Sequence, residues 1–162
     1  MDLLSNHKYR GVFYPLQTFS KQQHLNWSEI PILFEGNNKQ VNEKLEVLSQ
    51  LLSPLAIQID EKQRLSMHLA AVVVNNFTNH LYAEAQRFCK SKHMNFDLLV
   101  PLIEETTRKI KQQDPSKSQT GPASRGDMET IQRHKMVPMT EQLSDIYSLF
   151  TSQLLNRKNE KI

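Results

Sequence analysis

Apolar and polar positions alternate in short blocks over the first sixty residues and then settle into helical spacing. Gly11-Val-Phe-Tyr-Pro-Leu-Gln-Thr-Phe19 is rich in strand formers but broken by Pro15, so it predicts a strand at Val12 and Phe13 that runs into a loop. Ile30-Pro-Ile-Leu-Phe-Glu35 predicts a second strand, ended by Gly36-Asn-Asn38. Asn38 is placed to cap a helix starting near Gln40. Val41, Leu45, Leu48, Leu51 and Leu52 recur there at spacings of three and four, the mark of one apolar face, and Pro54 closes the helix. Ala56-Ile-Gln-Ile-Asp60 predicts a short third strand. Strand, strand, helix, strand is the order of the closing half of an α/β domain.

From Asp60 onward the pattern is helical. Asp60 is a good N-cap, and no Gly or Pro occurs from Glu61 to Val100, so a helix of about 30 residues is predicted from Glu61 to near Lys90. A second runs from a cap at Asn95 or Asp97 to near Lys111, with Pro101 in its first turn. Asp114 to Asp127 holds two prolines and two glycines and predicts a long loop. Asp127 caps a helix from Met128 to near Lys135. A last helix, Thr140 to Asn156, carries Leu143, Ile146, Tyr147, Phe150 and Leu154 as its apolar stripe. The polar residues from Asn156 to Ile162 predict a frayed tail.

Composition narrows the function. With 20 Lys and Arg against 17 Asp and Glu in 162 residues, the net charge of +3 is too small for a nucleic-acid binder. One cysteine, Cys89, rules out a disulfide framework. Lone Cys89 reads as a packed or idle thiol and not as a nucleophile, and Trp27 as a core or interface anchor. The longest purely apolar run is Leu69 to Val74, far short of the ~20 residues needed to span a membrane, and Met1 to Arg10 has no signal-peptide core. The expected location is the cytoplasm. Of the four glycines, Gly11, Gly36, Gly121 and Gly126, no two are one residue apart, so neither a Gly-x-Gly-x-x-Gly turn nor a P-loop is present.

Two segments could carry chemistry. On the long helix His68, Asn75, Asn79, Tyr82 and Gln86 fall at spacings of 7, 4, 3 and 4, which a regular helix places on one face. Ala70, Val74, Phe77, Leu81 and Phe88 read as the opposite, core face. Asparagine is a poor helix former, and three of them at 75, 76 and 79 need a reason: a solvated stripe, or a wall that hydrogen-bonds a polar ligand. The second segment is Thr120-Gly-Pro-Ala-Ser-Arg-Gly-Asp127. Its glycines allow backbone to approach a ligand, Arg125 can hold a carboxylate or phosphate, and Asp127 can orient Arg125 or cap the next helix. His7, His24 and His93 have no metal-ligand spacing, and no metal site is expected.

Four stretches together resemble a known family: Gly11 to Phe19, His68 to Leu81, Pro101 to Thr106, and Thr120 to Asp127 followed by His134. The chain resembles the C-terminal part of a Rossmann-like oxidoreductase family whose helical half is the domain of unknown function 2520. That family is similar in layout to pyrroline-5-carboxylate reductase, ketopantoate reductase and 6-phosphogluconate dehydrogenase. The resemblance implies a mainly α chain. Residues 1–60 would be the last strands and helix of a truncated Rossmann α/β domain. Residues 61–162 would be an all-helical domain like the C-terminal domain of 6-phosphogluconate dehydrogenase, for substrate binding and dimerisation. It also implies an NAD(P)-dependent oxidoreductase acting on a small polar substrate in the interdomain cleft. His68 would be catalytic, as an imidazole suits proton transfer near neutral pH. Gln17, Thr18, Asn75, Asn79, Thr120 and Arg125 would bind substrate. The family often has His where this chain has Tyr14. Because the glycine-rich turn is absent, the chain alone is expected to be inactive. Its expected partners are a second copy of itself and a small molecule, with no nucleic acid and no membrane. The competing reading is a non-catalytic helical dimerisation or ligand-binding module.

Overall fold

The computed structural model describes residues 4–19 and 25–159, so His24 lies outside the described residues. The chain divides into two compact units, Met1–Asn79 and His80–Ile162. The first is built on three strands, β1 (Gly11–Pro15), β2 (Ile32–Gly36) and β3 (Ala56–Gln58), in the order β1-β2-β3. β1 runs antiparallel to β2, with Val12 opposite Glu35 and Tyr14 opposite Leu33. β2 runs parallel to β3, with Leu33 opposite Ile57. Pro15 ends β1, where its missing N–H costs nothing to the ladder. The central strand is the most deeply buried: Ile32, Leu33 and Phe34, with nearby Ile30, are nearly inaccessible.

Side chains alternate across a strand, so Val12, Tyr14, Leu33 and Glu35 share one face of the sheet. Helix α1 (Lys39–Leu52) packs on the other face. Asn38 caps it, its Oδ1 accepting from Val41 N at 3.0 Å. Asn42 locks the turn into α1: its Oδ1 accepts from Gly36 N at 2.6 Å and its Nδ2 donates to Gly36 O at 3.3 Å. A Cβ at Gly36 would sit 2.7 Å from the Asn42 amide nitrogen, so only glycine fits this approach. The five-residue apolar face predicted for α1 is corrected in part. Val41 and Leu45 are half-buried, but Leu48, Leu51 and Leu52 are exposed, and Ser49 and Ser53 take the buried positions. A three-stranded sheet is narrow, and it covers only the row 41-45-49 of the helix.

The long helix forms as predicted and runs to Ser91, with a feature the pattern does not reveal. Asp60 and Gln63 make a capping box at its start. Helix α2 (Glu61–Ala71) passes into a π-helical segment, Val72–Phe77, and then into α3 (Thr78–Ser91). A π turn takes up more residues than an α turn. The rule that placed His68 through Gln86 on one face therefore holds only within each regular segment. The expected core face is also corrected: Val74 is 72% and Phe77 56% exposed, whereas Leu81 and Phe88 are half-buried.

The second unit is helical. A 3₁₀ turn at Phe96–Leu99, capped by Asn95, leads into α4 (Val100–Gln112), which has Pro101 in its first turn. The segment predicted as one long loop holds a 3₁₀ turn, Pro115–Lys117, and the single helical turn α5 (Pro122–Arg125). Helix α6 (Met128–Lys135) matches its prediction, and α7 spans Glu141–Asn159. The last turn of α7 thus replaces part of the expected frayed tail. Helix α5 packs on α6 and α7, and Cys89, Ala123, Ile131 and Thr151 are buried. Cys89 is a free, packed thiol. Buried Glu84 is ion-paired with Arg87, and His80 Nε2 lies 3.7 Å from its carboxylate. Trp27 is no core anchor: it is 37% exposed, stacked obliquely on Phe19. The fold is mainly α with a partial Rossmann-like sheet. Among the described residues no helix is long and apolar enough to cross a membrane, and no group of three or more His, Cys, Asp or Glu could hold a metal.

Candidate functional site

In the first unit one polar contact joins the sheet to the long helix at an expected site residue. Tyr14 Oη and His68 Nδ1 lie 2.8 Å apart, and the two rings meet edge to face at 6.2 Å. The phenol donates when Nδ1 is bare, and the imidazole donates when Nδ1 carries the proton. In either state Nδ1 is engaged and Nε2 is the ring nitrogen left for another partner. His68 is solvent-exposed, so a ligand can reach it.

Sequence reasoning misses Tyr14 as a site residue, because at this position it departs from the histidine of the family pattern. Its signal lies in the strand alternation, which puts Tyr14 on the same face as Glu35, and Asp60 starts the helix directly after β3. Gln17 and Thr18 lie just past the end of β1. They bond each other, with Thr18 N donating to Gln17 Oε1 at 2.9 Å. Asn75, in the π-helical segment, and Asn79, just after it, are both exposed. Wide turns of this kind recur at functional sites in helices.

In the second unit Gly121 and Gly126 both have positive φ, +105° and +73°. They bracket α5, and Gly126 ends it in the left-handed conformation typical of a helix C-terminus. Thr120 and Arg125 are exposed. Asp127 is the N-cap of α6: its carboxylate accepts from Thr130 N at 3.0 Å and from Thr130 Oγ1 at 2.7 Å. These two bonds hold the Asp127 pKa below the usual carboxylate range, against the opposing effect of burial, and the charges of Arg125 and His134 add to the lowering. His134 repeats the pairing seen at His68, with its Nδ1 3.0 Å from Tyr147 Oη.

A carboxylate whose pKa is lowered on folding adds stability above its unfolded value and loses it as the pH falls through its folded value. Asn also caps helices, so Asp127→Asn isolates the charge. The variant is expected to melt below the parent at pH 7. The gap should close as the pH drops below about 4, as scanning calorimetry across pH would record.

The family model for the domain of unknown function DUF2520 matches residues 30–154. A crystal structure from Bacteroides fragilis, of a protein provisionally named an NADP oxidoreductase, is 38% identical with a TM-score of 0.89, over 96% of this chain and 61% of that one. A second crystal structure, of a Thermotoga maritima protein, shares the fold at 20% identity and a TM-score of 0.73, over 94% of this chain and 62% of that one. This chain thus spans about three fifths of the length of either structure. Among curated proteins none matches it. The match over most of the chain, on a fold shared with both solved structures, makes this chain a member of the DUF2520 family.

Proposed function

We propose that this chain is the substrate-handling portion of an NADP-dependent oxidoreductase. The observation that carries the reading is the Tyr14–His68 pair, which links the end of the first strand to the long helix. The provisional name of the Bacteroides fragilis relative supplies the cofactor. The residues described here do not fit the cofactor's pyrophosphate. Gly11 and Gly36 are filled by internal packing against Val41, Asn42 and Leu45, Gly126 ends a helix turn, and Gly121, with open space around it, precedes a helix of only four residues. The share assigned to this chain is therefore proton handling and substrate binding.

His68 exchanges a proton with the substrate oxygen or nitrogen through Nε2, and Tyr14 fixes the ring and shares its Nδ1 proton. Asn75 and Asn79 donate and accept hydrogen bonds to a polar substrate, and Gln17 and Thr18 are assigned to the same task. Within the second unit, Thr120 and Arg125 are the candidate contacts for an anionic group, which favours a small carboxylated carbonyl compound or imine as the substrate class. A homodimer belongs to the same reading, since Leu149 and Phe150 of α7 remain exposed.

A chimera tests this. In it the matching three fifths of the Bacteroides fragilis protein is replaced by this chain, and NADPH consumption is followed against a panel of small keto acids and imino acids. The expected result is turnover with at least one carboxylated substrate. A chimera that folds and binds NADPH but consumes none with any of them would favour the non-catalytic helical module.

A further inference from the structure

We infer that Arg64 and Glu35 form a clamp that sets the register of the long helix on the sheet, which makes Arg64 a positioning residue for His68. The inference rests on the reading of His68 as the proton-transfer group. Arg64 lies on α2 one turn before His68, and its guanidinium is ion-paired with Glu35 of β2. Both side chains are mostly buried, 16% and 17% exposed. Arg64 also reaches Glu61, 4.0 Å away on the same helix.

The two contacts share one geometry. Glu35 lies opposite Val12 and Leu33 opposite Tyr14, so Glu35 and Tyr14 share a sheet face and stand two strand positions apart. They are diagonal neighbours on adjacent strands, about 7–8 Å apart. Arg64 and His68 stand four helix residues apart, about 6 Å along the axis. The difference between the two spacings is within the reach of the arginine side chain, and with Arg64 on Glu35, His68 meets Tyr14.

A slip of one residue would turn His68 about 100° around the helix and away from the phenol. The Tyr14–His68 bond alone cannot prevent this, because it is a single exposed bond worth about 1 kcal/mol. A largely buried ion pair can, because separating it leaves a charge without compensation.

The test is a double-mutant cycle read on the chemical shift of His68 Nδ1 by NMR of the whole chain at one fixed pH, with His68→Gln identifying the signal. In the parent, Tyr14→Phe should displace that signal, because the Nδ1 nitrogen loses its hydrogen-bond partner. In Arg64→Met and in the isosteric Glu35→Gln, the same Tyr14→Phe change should move it by less than half as much. Taking the difference between backgrounds with and without the Tyr14 hydroxyl cancels the direct field of Arg64 on the ring. The charge-swapped pair Glu35→Arg with Arg64→Glu should restore the full effect. An undiminished effect of Tyr14→Phe in both clamp variants would overturn the clamp and leave the Tyr14–His68 pair standing. If Tyr14→Phe has no effect even in the parent, the pair fails, and with it the clamp and the proposed site.

Discussion

Replacing His68 with alanine in an active chimera is expected to lower kcat about 100-fold or more, the usual size of a lost proton-transfer group. KM should change little, because Asn75 and Asn79 keep the ground-state contacts assigned to them. Tyr14→Phe should fall between the two. It leaves the imidazole in place but removes the bond that fixes it at 2.8 Å, so a smaller loss of kcat and a shifted pH–rate profile are expected. The discriminating measurement is the pH dependence of kcat for parent, Tyr14→Phe and His68→Ala under saturating NADPH. Equal kcat for the parent and His68→Ala would remove His68 from the chemistry.

The largest expected effect on stability lies in the sheet. Phe34 stands on the central strand, 3% exposed, opposite Phe13 of β1 and Gln58 of β3, on the face that α1 covers. Phe34→Ala should cost about 3–5 kcal/mol, the transfer energy of the ring plus the cavity it leaves. A domain of ordinary stability has about 5–15 kcal/mol in total, so such a loss takes a fifth or more of it. Urea unfolding followed by circular dichroism should show a lower midpoint. A loss under about 1 kcal/mol would mean that α1 does not rest on this ring.

The parts of the fold legible in the sequence are those that local rules determine. Asn38, Asp60, Asn95 and Asp127 are each readable as caps, and each accepts the expected backbone N–H. Helix α6 is periodic and capped, and its bounds follow directly. The rest depends on interactions between distant residues. Whether Leu48 and Leu51 are covered depends on the width of the sheet beneath them, which no helical pattern encodes. The π-helical segment comes from hydrogen bonds that skip one residue, while its sequence, Val72 to Phe77, reads as ordinary helix with two misplaced asparagines. In the candidate site, His68 stands out by residue type. Its partner Tyr14 lies 54 residues away in sequence and becomes visible only once the strands have register.

The strand order carries a consequence for how the first unit folds. In space the strands follow their order in the chain, β1-β2-β3, so every pairing joins neighbours in sequence. The parallel pair and its crossover helix occupy one continuous stretch, residues 32–58. Closing short loops costs little chain entropy, and folds of low contact order form quickly. This stretch is positioned to nucleate, with β1 adding to its open edge afterwards. The Tyr14–His68 and Glu35–Arg64 contacts span 54 and 29 residues and need both the sheet and the long helix in place. The candidate site is thus assembled at the end of folding. Substitutions there should alter how fast the chain unfolds and leave its folding rate nearly unchanged.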